Sequence, residues 1–150
     1  MDVMPESPPI VRDAAIADAG PVAALLGQLG YPVDVETAEE RLRGLLAPGA
    51  PDRVIVATVD GSVVAFASLH LTPVLHRPNP VGRVTALVVD DGHRGGGVGR
   101  ALMDRAEEIL RELGCSQIEL TSAGHRQGAH RFYEKLGYTE RRARFFKELD

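Results

Sequence analysis

From Gly97 to Leu113 the apolar residues Val98, Leu102, Ala106, Ile109 and Leu113 recur at spacings of four, four, three and four. That is one face of a helix, and Gly114 supplies its stop. An earlier helical pattern places Ile16, Val22, Leu25, Leu26 and Leu29 on one side, with Gly30 and Pro32 as terminators. It follows a short strand at Ile10 to Arg12. In "DVETAEERLRGLLAPGAP", Leu42, Leu45 and Leu46 oppose Glu39, Glu40, Arg41 and Arg43, which predicts a second short amphipathic helix before Pro48 and Gly49. The period then changes. "RVIVATVDGSVVAFASLHL" is two apolar runs around Asp60-Gly61, the signature of a hairpin whose strands are covered on both faces.

The stretch "TPVLHRPNPVG", with Pro73, Pro78, Pro80 and Gly82, reads as a loop before the strand "RVTALVVD". "CSQIELTS" is a further strand, and "GAHRFYEKLGY" is a second C-terminal helix with Phe132 and Leu136 on one face and Gly137 at its end. The final "TERRARFFKELD" is expected to form one or two closing strands. Strand, Gly-rich turn, helix and strand make a βαβ unit, whereas the earlier half is antiparallel. The expected class is therefore α/β (α+β): a mixed, largely antiparallel central sheet of about six or seven strands with helices on both faces. Residues 1–150 form a single expected domain, with residues 1–8 as a flexible lead.

Composition narrows the partners. The 150 residues carry 17 Lys plus Arg against 21 Asp plus Glu, a formal charge of -4, which is no electrostatic footprint for nucleic acid. No apolar run reaches bilayer-spanning length and no basic-then-apolar leader opens the chain, so the expectation is a cytoplasmic protein without membrane partners. The single cysteine, Cys115, excludes an internal disulfide, and we expect it buried and inert. His93, His125 and His130 have no ligand spacing, and no metal is expected.

The chemistry concentrates in "HRGGGVGRAL", where Gly95, Gly96, Gly97 and Gly99 stand at a helix start. The first N–H groups of a helix lack internal acceptors and carry partial positive charge, and glycines let a phosphate approach the backbone. Arg94 and Arg100 flank the turn and offer charge-assisted hydrogen bonds; a tight turn with solvated arginines is the bland alternative. Arg100 and Ala101 replace the lysine and hydroxyl of a P-loop. The dinucleotide spacing fails at Arg100, with no acidic residue ending a strand about 20 residues on.

"RGGGVG" and, downstream, "AHRFYEKLGY" together resemble the two hallmarks of the GNAT superfamily of acyl-CoA-dependent N-acyltransferases, and the resemblance covers nearly the whole chain. It implies an N-acetyltransferase moving an acetyl group from acetyl-CoA to a primary amine by direct attack in a ternary complex. It further implies that the strand "TALVVD" splays from "CSQIEL", that pantetheine pairs with the backbone of Leu87, Val88 and Val89, and that the pyrophosphate rests on Gly95, Gly96, Gly97, Val98 and Gly99 beside Arg94 and Arg100. Tyr133 resembles the family's general acid. Two positions depart from the family: Val84, Thr85 and Ala86 stand where many relatives have a glutamate base, and Arg126 stands where many have an asparagine for pantetheine. Candidates for the base are His70, His76, Asp34, Glu36 and Glu119. The acceptor, expected to be a small-molecule amine, should meet residues 30–37, 72–82 and the last strands. Phe145 and Phe146 leave a homodimer open. The rival reading from another class is a non-catalytic acyl-CoA sensor.

Overall fold

A computed structural model describes residues 7–121, 127–141 and 145–149. Strand β1 (Ile10–Asp13) leads into helices α1 (Ala19–Leu29) and α2 (Val35–Leu45), and the hairpin follows as β2 (Asp52–Val59) and β3 (Ser62–Thr72). Next come β4 (Val81–Val89), α3 (Val98–Glu112), β5 (Gln117–Leu120) and α4 (Gln127–Lys135). The strands lie in the order β1-β2-β3-β4-β5, antiparallel except for the parallel β4–β5 pair across the α3 crossover. The mixed sheet and its helices therefore match the class expected. Asp60 (φ 50) and Gly61 (φ 84) make the hairpin turn in the left-handed region that Asp-Gly favours.

Five strands are found among the described residues, fewer than the six or seven expected. The shortfall lies at the end, where residues 139–141 and 145–149 carry no strand and 142–144 and 150 fall outside the description. Charged residues outnumber apolar ones in the sequence of this stretch, and Phe145, Phe146 and Leu149 are all exposed, so its described part lacks a buried face to fix a register. Residues 1–8, expected to be a flexible lead, fall mostly outside the description, as do His125 and Arg126. β4 begins at Val81, two residues before the expected start, because Val81 and Gly82 pair with Thr72 and Leu71.

The sheet separates two cores. Ile55, Ala57, Ala65, Ala67 and Leu69 face Leu102, Met103, Ala106, Ile109 and Leu110 of α3. Val54, Val56 and Phe66 face Val22, Leu25, Ala38 and Leu42 of α1 and α2. Both layers are closed to solvent: Leu102 and Met103 on one side and Val56 on the other are 0% exposed, and burying each such side chain contributes about 1.5–3 kcal/mol. That is why the hairpin strands read as continuous apolar runs.

One irregularity prepares the site. Ser68 pairs with Ala86 but Leu69 pairs with Val84, so Thr85 is an extra residue in β4, and its Oγ1 donates to the Ser68 carbonyl at 3.1 Å. A bulge shifts the alternation by one. Val84 belongs to the α3 core, and beyond the bulge Leu87 and Val89 do, while Ala86 and Val88 face α1. The β4–β5 pairing also stops here. Its last pair is Val84 with Leu120, although β4 runs on to Val89.

Candidate active site

Where β5 ceases to accompany β4, a cleft of about 840 Å³ opens between the outer half of β4, the start of α3 and α4. Its walls include Leu87, Val88 and Val89 from β4, Gly95, Gly97, Gly99, Arg94 and Arg100 from the glycine turn, and Phe132 and Tyr133 from α4. Nine of the residues named from sequence as catalytic or cofactor-binding thus meet in one concavity. Gly96 and Val98 do not line it. Val98 is 3% exposed and anchors the first turn of α3 in the core; its side chain turns away while its N–H stays with the helix start.

The turn leaves its backbone open. Gly95 (φ 82) and Gly97 (φ 86) adopt left-handed conformations that side chains disfavour, and a Cβ added to either would meet no atom within 4 Å. The glycines are therefore not forced by packing. Gly97 caps α3 without any side-chain hydrogen bond, and the helical ladder starts with the Ala101 N–H donating to the Gly97 carbonyl at 3.0 Å. The N–H groups of Val98, Gly99 and Arg100 precede that first bond and point out of the helix start. Gly99 has a different reason: its Cβ would stand 3.1 Å from the Phe132 ring, so its smallness lets α4 pack on α3. A cradle of open backbone donors with no side chain filling it fits a diphosphate.

The charges along the wall divide into held and unheld groups. Arg94 donates to the Val89 carbonyl at 3.4 Å and pairs with Asp91 at 3.0 Å. Arg100 and Lys135 line the cleft and pair with no carboxylate among the described residues. The approach to the turn is fixed by Gln28, which the sequence reading did not single out. Its Nε2 donates to Asp90 at 2.8 Å and its Oε1 accepts from the Asp91 N–H at 2.9 Å. Asp90 also bonds the Gly92 N–H at 3.1 Å and His93 Nδ1 at 3.0 Å, and the Gln28 and His93 hydrogen bonds hold its carboxyl below the usual range. A long-range pair such as Gln28 with Asp90 leaves no local signature in the chain. Lys135 had one, since it stands three residues after Phe132, on the same face of one helix.

Tyr133 sits between two rings, edge to face with Phe132 at 5.1 Å and with Tyr138 at 6.0 Å. The Tyr138 hydroxyl is buried with no hydrogen-bond partner among the described residues, and burial, followed by the Glu107 charge, pushes its pKa up to about 12. Cys115 is half-buried rather than fully buried, at the end of α3, and burial raises its thiol pKa, which keeps it a poor nucleophile.

None of the five candidate bases lines the cleft. Asp34 caps α2 by accepting from the Thr37 N–H at 2.7 Å, His70 is bound to Asp52 at 2.7 Å, and Glu119 faces Arg83 at 3.9 Å. Glu36 and His76 are exposed on other surfaces. Among the described residues no cluster of His, Cys, Asp or Glu is arranged to hold a metal, and no helix is long and apolar enough to cross a membrane.

Comparison with known proteins bears directly on this site. Residues 25–138 match the acetyltransferase (GNAT) family. Over 99% of its length the chain is 35% identical to an aminoalkylphosphonate N-acetyltransferase of Salmonella typhimurium, spanning 95% of that protein. It is 30% identical to an aminoglycoside N(6')-acetyltransferase of Stenotrophomonas maltophilia, over 89% of this chain and 88% of that one. In fold, a crystal structure of a transcriptional regulator from Bacillus halodurans superimposes with a TM-score of 0.85 at 22% identity, covering 94% of this chain and 99% of that one. The matched segment runs from α1 through the cleft to Tyr138, taking in the glycine turn and the tyrosine helix, and the chain belongs to the GNAT family as an N-acetyltransferase.

Proposed function

We propose that this enzyme moves an acetyl group from acetyl-CoA to the primary amine of a small molecule, by direct attack while both substrates are bound. One observation carries the reading: a single cleft joins an unpaired strand edge, an unfilled helix start and a tyrosine. The edge of β4 from Leu87 to Val89, left by β5, offers N–H and C=O groups to the amides of pantetheine, as a strand added to a sheet would use them. The N–H groups at Gly95 to Gly99 and the guanidinium of Arg100 hold the diphosphate, with Arg94 beside it. The thioester supplies the activated acetyl group. Tyr133 then donates its phenolic proton to the departing sulfur as the carbon–sulfur bond breaks.

With Asp34, Glu36, His70, His76 and Glu119 engaged or placed elsewhere, the amine proton leaves to solvent through the open cleft. Cys115, half-buried and raised in pKa, forms no acyl intermediate. The relatives' names favour small amines, so an aminoalkylphosphonate leads the panel of acceptors, followed by aminoglycosides and glucosamine 6-phosphate. The single cysteine and the co-substrate fit a cytoplasmic site of action. A homodimer formed through the exposed Phe145, Phe146 and Leu149 belongs to the same proposal. Thiol release from acetyl-CoA with this panel tests the reaction: turnover with at least one amine is expected. Tight CoA binding with no release above background for any of them would instead favour a non-catalytic sensor.

A further inference from the structure

Helices α1, α3 and α4 end on one hydrogen-bond pattern. A left-handed glycine (Gly30, Gly114 or Gly137) donates to the carbonyl three residues back, and the residue after it donates to the carbonyl five back. Tyr31 reaches Leu26 at 2.9 Å, Cys115 reaches Leu110 at 2.9 Å, and Tyr138 reaches Tyr133 at 3.0 Å. This termination brings the side chain after the glycine against the side chain five positions earlier. In α3 that pair is Cys115 with Leu110, which belongs to the core. In α4 it is Tyr138 with Tyr133, and Tyr133 lines the cleft.

The Tyr133 carbonyl also accepts the Leu136 N–H at 3.1 Å, so its backbone is fixed twice, and its ring meets that of Tyr138 at an interplanar angle of 71°. The Tyr138 hydroxyl has no partner among the described residues, so it is the ring that meets Tyr133.

We infer that Gly137 and Tyr138 are positioning residues for Tyr133: the left-handed glycine folds the chain back, and the Tyr138 ring sets where the Tyr133 phenol stands in the cleft. The inference rests on Tyr133 being the proton donor, but the placement of its ring can be read without that assumption. The chain holds three tyrosines, so spectra of ring-13C-tyrosine protein resolve Tyr133 from Tyr31 and Tyr138.

Tyr138→Leu should alter the NOE signals between the Tyr133 and Phe132 rings, which loss of the Tyr138 ring current alone does not move, leave those of Tyr31 unchanged, and lower kcat with 2-aminoethylphosphonate and acetyl-CoA by about ten- to a hundredfold at unchanged CoA affinity. Tyr138→Phe should restore both signals and turnover. Gly137→Ala should lower kcat as well, whereas Gly114→Ala, with the same strained conformation (φ 88 against 94) and the same open surroundings, should cost stability alone. Unchanged NOE signals between Tyr133 and Phe132 in folded Tyr138→Leu, or equal losses of turnover in the two glycine variants, would overturn the inference. Full turnover in Tyr133→Phe would instead refute the proton-donor role, with the ring signals still reporting on placement.

Discussion

Replacing Gly97 with alanine separates the two reasons for a glycine at that position. The residue holds φ 86, and a methyl group there would touch nothing within 4 Å, so the folded chain loses only the strain of a left-handed alanine, about 1–2 kcal/mol. For a domain of this size that lowers Tm by about 2–8 °C. Gly114→Ala is the matched control: φ 88, nothing within 4 Å, and a position outside the cleft. Both variants should melt lower by similar amounts. Only Gly97→Ala places a methyl group in the open space before the first N–H groups of α3. Losing one charge-assisted hydrogen bond to a phosphate costs about 1.5–3 kcal/mol, or about ten- to a hundredfold in Kd. Isothermal titration with CoA and a thermal melt of each variant read the two effects independently. If Gly97→Ala melts like Gly114→Ala but binds CoA like the parent, the glycine turn is a structural turn and no phosphate cradle.

Arg100→Ala should weaken CoA binding by about tenfold and flatten its dependence on salt, since its guanidinium lines the cleft without a carboxylate partner among the described residues; an unchanged salt dependence would argue against phosphate contact. Gly82→Ala would drive a methyl group to 2.7 Å from Leu110 Cδ1, which is 1% exposed and cannot swing away, so the variant should lose about 1–3 kcal/mol in denaturant titration and recover when Leu110→Val is added. Arg12 grips the buried Asp18 with two hydrogen bonds, 2.8 and 2.9 Å, and that bond chiefly holds the Asp18 carboxyl below its ordinary value. Because the native pKa is depressed, this stability is present above about pH 4 and is lost as pH falls through the lowered native value. Arg12→Ala should therefore cost about 1–3 kcal/mol near neutrality and flatten the acid limb of a pH–stability curve, the half-exposed arginine keeping the figure modest.

Much of the site was legible because its signals are local. Left-handed glycines, a helix start and a four-four-three-four apolar face are written in neighbouring residues, and they located the turn, α3 and the tyrosine helix. The splay of β4 from β5 was anticipated only through the family resemblance. Its physical basis, the extra residue Thr85, needs the partner register Ser68–Leu69 to be seen, and register is not a property of one strand. Gln28 escaped for the same reason, since its two hydrogen bonds reach 62 and 63 residues along the chain. The closing strands expected from the charged, aromatic end are absent from its described residues, 139–141 and 145–149, while 142–144 and 150 lie outside the description. Aromatic residues without a buried face do not fix a strand, and Phe145 at 94% exposure has none.

The central claim is that Tyr133 hands its proton to the leaving sulfur in a CoA cleft. Tyr133→Phe keeps the ring, its contacts with Phe132 and Tyr138, and the α4 termination, and removes one hydroxyl. Measured by thiol release with the best amine of the panel and by CoA titration, it should lose about a hundredfold or more in kcat, the usual range for general acid catalysis, with CoA affinity unchanged. Turnover equal to that of the parent would contradict the account.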